Sequence, residues 1–410
     1  MERVLLLTGF SPGLSYGGGA IVRSLAERFQ PGQLAWFCLS TPEPDLPRPL
    51  RRLLIDHYAF TPRGAQRLHL GRFWDAYYRG VWTRRAAARV LSAMARIGAT
   101  TLWTVLDYHV VPVAAELVRR KAAQHYHYSI HDHPNAMAHV HFQSPASIAR
   151  VAEGFALVKA TGSSFDAVSE ELLAAAGVIG RPNAVVTMGC RLDRCFSDIR
   201  PPAQSGCLRI GYAGSHFPPH RVFQLVEGLK LWSAATGRDW EIHKFGGRTS
   251  SPMPPEIIWR GFLTPDALAA ELRNMSYLVL AFDGGDAPMS VLAATSLPTK
   301  LISYLEAGRL VLAMVPENSV TARIVRDGSM GPILDGTQPQ AVANAIDSGL
   351  SWDLDAADQG RAALLRGRFN PDSIVERFVG LLRLAEPSLT LTMSRPTAQP
   401  AAAAPENQPC

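Results

Sequence analysis

The feature that most constrains the fold is an alternation of short apolar segments, rich in β-prone residues, with stretches long enough to form helices. Four such apolar segments lie in the first half of the chain: 3–9, 33–40, 100–107 and 125–132. Residues 20–29 and 111–123 are two of the intervening candidate helices. Strands that alternate with helices build βαβ units, whose strands run parallel within one sheet. The sequence therefore predicts an α/β protein.

The same pattern starts again after a Pro-Pro step at 201–202, which predicts a second parallel sheet. Its candidate strands are 207–214, 240–247, 276–282 and 309–315. We expect two Rossmann-type domains, about 1–195 and 205–370, whose sheets face a shared cleft at the carboxyl ends of their strands. A helix at 371–385 is expected to return to the first domain. The Pro/Ala-rich segment 386–410 is expected to be disordered.

Composition limits the class of protein. Of 410 residues, 47% are hydrophobic and 19% are charged, a globular balance that supports about two domains of ordinary size. The five cysteines include no C-x-x-C pair, so neither a disulfide framework nor a thiolate zinc site is indicated. No apolar run reaches the ~18 residues of a membrane-spanning helix. We expect a cytoplasmic protein, with a peripheral position on the inner face of the plasma membrane as one option.

Two glycine-rich turns follow candidate strands at the expected cleft. The first contains Gly17, Gly18 and Gly19 ahead of a helix, and the second contains Gly214, followed by Ser215. Glycine lets backbone N–H groups approach a ligand at the positive end of a helix, which suits a phosphate. Glycine is also the ordinary residue of a tight turn, so neither turn alone distinguishes an anion site from a connection without a ligand.

The segment 296–313, SLPTKLISYLEAGRLVLA, predicts a helix that begins near Pro298, ends at Gly308 and leads into a buried strand. Lys300 lies in the first turn of this helix, where the helix dipole repels a cation. An anion bound nearby would offset that repulsion. An exposed lysine on a surface helix is the alternative, because most lysines are solvated.

Taken in order, these motifs resemble those of GT-B glycosyltransferases, and more narrowly the family 4-like sugar-nucleotide transferases. The resemblance rests on the glycine-rich first loop, the step from His131 to Asp132, the DAVSEEL segment (166–172), the GYAG turn and the PTKLISYLEAGRLVLA block. That last block is similar to the family pattern S-L-P-x-K-L-x-E-Y-x-x-x-G-x-P-V. The likeness extends from the N-terminus to about residue 384.

The resemblance implies an enzyme that moves a sugar from a nucleotide-diphosphate sugar to a saccharide or glycolipid hydroxyl, with retention of configuration. The second domain would hold the donor, with Lys300 facing its diphosphate, and the first domain would hold the acceptor. The implied donor contacts are Gly214, Ser215, Arg221, Lys300, Leu301, Ser303 and Glu306. The implied acceptor or phosphate loop contains Gly17, Gly18 and Gly19. Neither a cofactor nor a metal is implied.

Two acidic positions of the family pattern are not acidic in this chain. Many relatives carry two glutamates eight positions apart, and Thr295 and Ser303 stand at those positions. Glu306, one helical turn beyond Ser303, is a candidate substitute for the ribose contact, although a solvated residue near a helix end is the simpler interpretation. Arg221 is the nearest cation to the basic positions that relatives carry after the second glycine turn. Diphosphate binding is therefore expected to use fewer residues than is usual in the family.

Six of the twelve histidines fall between residues 125 and 141. Alternation along the candidate strand places His125, His127 and His131 on one face, but no set of cysteines or carboxylates accompanies them, so no metal site is predicted. His131 matches the family position near the transferred sugar and forms the predicted catalytic pair with Asp132. A hydrogen-bonded structural histidine is the alternative.

The segment from Arg51 to Arg96 contains ten arginines against two acidic residues, with aromatic residues at helical spacing. Such a segment could lie on an anionic membrane surface and bring a lipid-linked acceptor to the cleft. A domain helix whose aromatic stripe packs on the sheet is the commoner arrangement, and the net charge of +6 favours neither. The sequence contains no nucleic-acid recognition module, so nucleic acid is not an expected partner.

Two other functions are consistent with the same fold. One is a different GT-B activity, either a nucleotide-sugar epimerase or an inverting transferase, and product stereochemistry separates these from retaining transfer. The other is a non-catalytic binding or scaffold protein that has lost both glutamates. A nucleotide-sugar that binds without turnover would support this last function.

Overall fold

The computed structural model describes eleven stretches of the chain. They are residues 3–11, 17–43, 46, 48–59, 76–141, 144–191, 195–214, 217–247, 253–282, 287–336 and 338–382. The segment 386–410, for which the sequence predicts disorder, lies outside them, and so does Ser215.

The first sheet contains seven strands within the described residues, all of them parallel. The strands are β1 (Val4–Thr8), β2 (Leu34–Cys38), β3 (Leu54–His57), β4 (Thr101–Leu106), β5 (His125–Ile130), β6 (Ser164–Ala167) and β7 (Asn183–Val185). Their spatial order is β3-β2-β1-β4-β5-β6-β7. Strands β1 and β4 are buried along their whole length, as a parallel sheet covered on both faces requires.

Seven α-helices connect these strands in the described parts of the chain. They are α1 (Gly17–Ala26), α2 (Arg48–Leu53), α3 (Thr83–Ile97), α4 (Val111–Arg119), α5 (Pro134–His141), α6 (Pro145–Thr161) and α7 (Glu170–Ala176). Helix α7 shows how the sequence sets such bounds. The Ser169 side chain accepts a hydrogen bond from the Leu172 backbone at its N-terminus, and Gly177 adopts a left-handed conformation at its end.

The second sheet has five described strands, again parallel. They are β8 (Leu208–Ala213), β9 (Trp240–Phe245), β10 (Ile257–Gly261), β11 (Tyr277–Ala281) and β12 (Leu310–Met314), in the order β10-β9-β8-β11-β12. The accompanying helices are α8 (Pro219–Thr236), α9 (Pro265–Arg273), α10 (Ala287–Thr295), α11 (Lys300–Ala307), α12 (Val320–Asp327), α13 (Pro339–Leu350) and α14 (Leu354–Arg366). Both sheets are thus parallel and enclosed by helices.

Each sheet changes the direction of its strand order at one place. In the first sheet the chain leaves β1 toward β2 on one side and later returns to add β4 on the other side, and β8 and β11 stand in the same relation in the second sheet. The connections on either side of such a point diverge and leave a crevice at the carboxyl ends of the strands. The fold therefore places one candidate ligand-binding crevice at the carboxyl edge of each sheet.

A final helix, α15 (Pro371–Leu381), packs against the first sheet after the chain has left the second. The Phe378 ring lies 4.6 Å from the Trp103 ring and 5.3 Å from the His127 ring, measured between centroids. The Ser164 hydroxyl donates a hydrogen bond of 2.8 Å to the Leu381 carbonyl at the end of the helix. The chain thus crosses between the two sheets twice.

Beneath this helix lies a buried polar network in the centre of the first sheet. Asp166 accepts hydrogen bonds from His127 at 2.7 Å and from Ser129 at 2.5 Å, and the Trp103 indole N–H donates to Ser129 at 2.8 Å. His127 and Asp166 are fully buried. Buried polar groups that satisfy one another in this way stabilise one particular packing. His127 is therefore a structural residue.

The aromatic residues of the arginine-rich segment that the structure describes belong mostly to the core. Tyr78 and Trp82 lie in a π-helical turn (Tyr78–Trp82) before α3, and their exposed fractions are 1% and 2%. These two rings pack inside the domain, as the commoner interpretation of the sequence predicts. Phe73 and Trp74 lie outside the described residues. Among the helices that the structure describes, none is long and apolar enough to cross a membrane.

Candidate functional site

The crevice of the second sheet is formed by two glycine turns that touch each other. Gly214, after β8, has φ 134°, and Gly246, after β9, has φ 113°, a region that favours glycine. A Cβ atom on Gly246 would lie 3.0 Å from the Gly214 carbonyl oxygen. The second glycine turn predicted from the sequence is therefore required by its backbone conformation and by close packing.

Helix α11 is held against this turn by a tyrosine. The Tyr304 hydroxyl donates to the Val279 carbonyl in β11 at 2.9 Å and accepts from the Ala213 N–H at the end of β8 at 3.0 Å. Tyr304 is fully buried. One helical turn earlier, Lys300 is thereby directed at Gly214, where a Cβ atom would lie 3.4 Å from the Lys300 Nζ. The fold brings these two predicted donor residues together.

The Lys300 ammonium contacts a tyrosine in a site that lacks a described carboxylate partner. Its Nζ donates a hydrogen bond to the Tyr212 hydroxyl and lies 4.0 Å from the centre of the Tyr212 ring. Burial raises the pKa of Tyr212 well above its usual value, so this partner stays neutral. Burial, and the nearby Lys244 charge, lower the pKa of Lys300 to about 7. No described acidic residue forms an ion pair with Lys300.

Lys244, in β9, is a second cation at the same turn, and the sequence interpretation missed it. Its side chain is fully buried, and its Nζ donates to the carbonyls of Gly214 at 2.9 Å and Gly247 at 2.7 Å. It also lies 4.4 Å from the centre of the Trp259 ring. Burial lowers the pKa of Lys244 to about 8. The missed signal is a lysine at the carboxyl end of a buried strand, where an apolar residue is expected.

The crevice of the first sheet contains His131, which follows β5. The ring is 9% exposed and lies 6.4 Å from the Phe10 ring, measured between centroids. Burial lowers the pKa of His131, although the nearby Asp166, Asp132 and Asp107 oppose the shift. Its Nδ1 is buried and forms no hydrogen bond with a described residue. A neutral imidazole with one such nitrogen can exchange a proton or a hydrogen bond with a ligand.

A cavity of ≈ 10 Å³, about the size of one water molecule, adjoins this histidine. It is lined by Phe10, Val105, Leu106, Asp107, His131, Asp132 and Met137. Asp107 follows β4, so the cavity lies at the carboxyl ends of neighbouring strands. The sequence interpretation did not single out Asp107, although its place at the end of an apolar strand was visible.

Asp132 connects the two crevices. Its carboxylate accepts a hydrogen bond of 2.6 Å from the Ser296 hydroxyl, which lies at the start of the SLPTK segment that leads into α11. Burial raises the pKa of Asp132, whereas the Ser296 bond lowers it. Ser169 adds a second link between the domains by donating to the Thr295 carbonyl at 2.7 Å. The predicted catalytic pair and the segment that contains Lys300 are therefore in direct contact.

Arg221 requires a correction, because it is not a cation that extends into the crevice. Its guanidinium is buried and donates to the Phe282 carbonyl at 3.3 Å, to the Gly336 carbonyl at 2.8 Å and to the Gln224 side chain at 3.1 Å. A buried guanidinium is stable only when such acceptors surround it. Phe282 and Gly336 lie in the connections after β11 and β12, so Arg221 positions these two loops.

Two of the predicted donor residues in α11 are engaged in other contacts. The Leu301 side chain is fully buried, and its N–H already donates to the Pro298 carbonyl at 3.0 Å. Glu306 is 8% exposed, and its carboxylate accepts from the Arg191 N–H at 2.7 Å. The expectation of a solvated Glu306 is wrong, because the side chain secures the connection between the two domains. Ser303 remains a half-buried residue of the same helix.

The predicted acceptor loop is only partly described. Gly17, Gly18 and Gly19 form the first turn of α1, directly after the connection from β1. Residues 12–16 of that connection lie outside the described residues, as does Ser215 in the second domain. A phosphate role for these glycines stays a prediction.

Three solved structures show how this arrangement compares with known proteins. HepE of Anabaena, determined in complex with UDP, has a TM-score of 0.64 and 13% identity, covering 93% of this chain and 99% of its own. Sucrose-phosphate synthase of Thermosynechococcus elongatus gives 0.63 and 14%, covering 93% and 98%. The lipopolysaccharide outer core galactosyltransferase WaaB gives 0.58 and 14%, covering 93% and 99%.

The similarity is one of fold, because the identities are low while nearly the whole of each chain is covered. The protein has the GT-B fold, as the sequence resemblance predicts. Neither a protein-family model nor a curated protein matches the sequence.

Proposed function

We propose that the protein is a glycosyltransferase that takes its sugar from a nucleotide-diphosphate donor. The observation that carries this proposal is the convergence of Lys300 and Lys244 on the Gly214 turn, at the carboxyl end of the second sheet. The Lys300 ammonium has no described carboxylate partner in a partly buried position, which is unfavourable unless an anion joins it. A diphosphate provides that anion, and backbone N–H groups at a glycine turn add hydrogen bonds to it.

The acceptor hydroxyl belongs at the first crevice in this proposal. His131, neutral because it is buried, has an Nδ1 atom that lacks a hydrogen-bond partner among the described residues, and Asp132 follows it in the chain. The Asp132–Ser296 bond brings this pair to the segment that positions Lys300. In this proposal Lys300 stabilises the departing diphosphate and His131 contacts the transferred sugar.

Retention of configuration and a saccharide or glycolipid acceptor are the finer parts of the proposal. Retention rests on the resemblance of the SLPTKLISYLEAGRLVLA block to the family 4-like pattern. HepE was determined with UDP, and WaaB is described as a galactosyltransferase of the lipopolysaccharide outer core, so uridine nucleotides and saccharide acceptors are the first candidates.

The test is a panel of nucleotide-sugars assayed for binding by ligand-detected NMR and for transfer to saccharide acceptors. We expect binding that requires the diphosphate, and a product whose anomeric configuration matches the donor. A product of opposite anomeric configuration would show that the transfer is inverting and not retaining. Absence of binding by every nucleotide-sugar, with the protein folded, would contradict the donor site itself.

One observation favours a second function, that of a protein that binds a nucleotide-sugar without turning it over. Thr295 and Ser303 occupy the positions of the two family glutamates, and the Thr295 hydroxyl is bonded within its own helix to the Val291 carbonyl at 2.8 Å. Glu306, the nearest carboxylate along α11, is committed to the connection between the domains. Tight binding with no transfer to any acceptor would select this function.

A further inference from the structure

A groove of ≈ 510 Å³ lies on the first domain between the π-helical turn Tyr78–Trp82 and helix α6, away from the residues of the two crevices. It is lined by Ala76, Arg79, Gly80, Arg84, Ala146, Ala149, Arg150 and Glu153. Its lining therefore consists of small residues together with three guanidinium groups and one carboxylate. Its volume falls within the range of small-molecule sites, about 300–1,000 Å³.

The charges of this groove are not neutralised by the described structure. Arg79, Arg84 and Arg150 form no ion pair with a described residue, and the buried Nε of Arg79 has no hydrogen-bond partner among them. Arg323, by contrast, forms an ion pair with Glu171 at 2.6 Å. Three guanidinium groups against the single carboxylate of Glu153 leave a net positive charge in the concavity, which favours an anion there.

The backbone of the groove is itself unusual. The Tyr78 carbonyl accepts from both the N–H and the hydroxyl of Thr83, which closes the wide π-helical turn, with the hydroxyl at 2.7 Å. Such turns are uncommon and often occur at functional sites. The Tyr78 hydroxyl also donates to the His109 carbonyl at 2.9 Å, in the connection after β4. The turn that displays Arg79 and Gly80 is thus fixed to the same connection that carries Asp107.

We propose that this groove is a second anion-binding site, separate from the donor site, that takes a phosphate group. Guanidinium groups present planar pairs of N–H donors that match phosphate oxygens, which makes arginine well suited to this ligand. Small residues around them leave room for the ligand to approach. The phosphate can belong to a lipid headgroup or to a soluble molecule, and the site does not depend on glycosyl transfer.

The experiment separates the groove from general surface charge by matched substitutions. Arg84 and Arg85 are adjacent, exposed and in the first turn of α3, but only Arg84 lines the groove. Gly80→Leu fills the groove without changing any charge, because a Cβ atom on Gly80 meets no heavy atom within 4 Å. All variants are made in the full chain with Lys300→Ala, so that the proposed donor site does not contribute.

Binding is measured with two probes. One is co-sedimentation with phosphatidylcholine vesicles that contain or lack phosphatidylglycerol, and the other is calorimetric titration with inorganic pyrophosphate. We expect Arg84→Glu and Gly80→Leu each to weaken binding by about tenfold, the scale of one charge-assisted contact, while Arg85→Glu changes it less than about twofold. Loss with vesicles alone identifies a lipid headgroup as the source, and loss with both probes identifies a general phosphate site.

The proposal is overturned by any of three results. Equal losses of binding in Arg84→Glu and Arg85→Glu would show that only the general positive charge of this surface attracts the probe. Unchanged binding by Gly80→Leu would show that the groove is not occupied. No binding of either probe by the protein with the groove intact would remove the site. Thermal melts of each variant confirm that folding is preserved.

Discussion

The two crevices share one topology but carry opposite charge. In the first sheet the carboxyl ends of β4 and β5 present Asp107, His131 and Asp132. In the second sheet Lys300 lies beside Gly214, and Lys244 donates to the Gly214 carbonyl. The same crevice geometry therefore carries two different sets of charged and polar side chains.

Burial weakens this difference in charge in the free protein, because it favours the neutral form of each group. It lowers the pKa of Lys300 to about 7 and also lowers the pKa of His131, and it raises the pKa of Asp132. Lys300 is thus close to a change of protonation at neutral pH, which an arriving anion can complete. If the comparison holds, substitutions at the first edge should affect turnover and substitutions at the second should affect donor binding.

The largest expected effect is on turnover, from a substitution in the crevice of the first sheet. His131→Ala should lower the turnover number by about ten- to a thousandfold, because the polar group proposed to contact the reacting sugar is lost. Steady-state kinetics with saturating donor measure this. Donor affinity should change little, since Lys300 and Lys244 remain.

The matched control for His131 is His139→Ala, which removes an exposed histidine from helix α5 in the same domain. It should leave turnover unchanged. If His131→Ala keeps its turnover but loses thermal stability, His131 is a structural histidine and the assignment of the first edge fails.

The second largest expected effect is on donor binding, from a substitution in the crevice of the second sheet. Lys300→Ala should weaken nucleotide-sugar binding by about 1.5–3 kcal/mol, the scale of a charge-assisted hydrogen bond, and should weaken nucleoside binding much less. Stability should stay level or rise, because the substitution removes a partly buried cation from the first turn of a helix. Calorimetric titration and thermal melts measure both quantities.

Equal losses for the nucleotide-sugar and the nucleoside would contradict this assignment, since the diphosphate would not be the contacted group. Arg366→Ala, an exposed arginine at the end of α14 in the same domain, serves as the control for a lost surface charge. It should bind both ligands as the unmodified protein does.

A smaller effect follows from the lowered lysine pKa values, about 7 for Lys300 and about 8 for Lys244. A bound diphosphate favours the ammonium form, so above pH 7 binding must take up a proton. Affinity should therefore fall as pH rises from 7 to 9, by at most about tenfold per pH unit for one proton. Titration in buffers of different ionisation enthalpy counts the protons directly.

Lys300→Arg gives a contrasting case, because the guanidinium stays protonated across this range. Its affinity should depend less on pH than that of the unmodified protein. The unmodified protein without ligand should also become more stable as pH rises from 7 to 10.5. Over this range Lys300 keeps its proton in the unfolded chain but releases it in the folded protein. Binding without proton uptake at pH 8 would show that Lys300 is already charged in the free protein.

Sequence patterns were sufficient for the fold but not for every strand. Apolar segments that are buried on both faces, such as β1 and β4, stand out because nearly every residue is hydrophobic. Strands β3, β6, β7 and β10 were not predicted. All four are only three to five residues long. Strands β3, β7 and β10 are partly exposed edge strands, and the buried β6 has the mixed sequence SFDA, so the composition of each resembles that of a loop.

The site was less predictable, because a residue's contacts are set across the fold. Lys300 and Gly214 were found because the resemblance names them. Arg221 was placed with the donor by proximity in sequence, but its guanidinium finds carbonyl acceptors far along the chain. Lys244 was missed because nothing local shows that a strand end lies beside Gly214. Side-chain direction at such positions depends on tertiary packing, which one sequence does not display.

The smallest expected effect tests the contact between the two edges. Asp132 accepts a hydrogen bond of 2.6 Å from Ser296, and this bond joins the proposed catalytic pair to the segment before α11. Ser296→Ala should lower the free energy of unfolding by about 1 kcal/mol, the net value of one such bond. It should also raise the pKa of Asp132 further, because the bond stabilises the carboxylate against the effect of burial.

A double-mutant cycle with Ser296→Ala and Asp132→Ala isolates this bond from other losses, with unfolding by urea as the measurement. A coupling energy of about 0.5–1.5 kcal/mol is expected, since each single substitution removes the same bond. Ser169→Ala is the comparison, because its hydroxyl joins the domains through the Thr295 carbonyl and not through Asp132, so it should not couple to Asp132→Ala. A coupling energy near zero between Ser296 and Asp132 would mean that the two edges do not meet in the free protein. The opposite charges would then be brought together only by the donor itself.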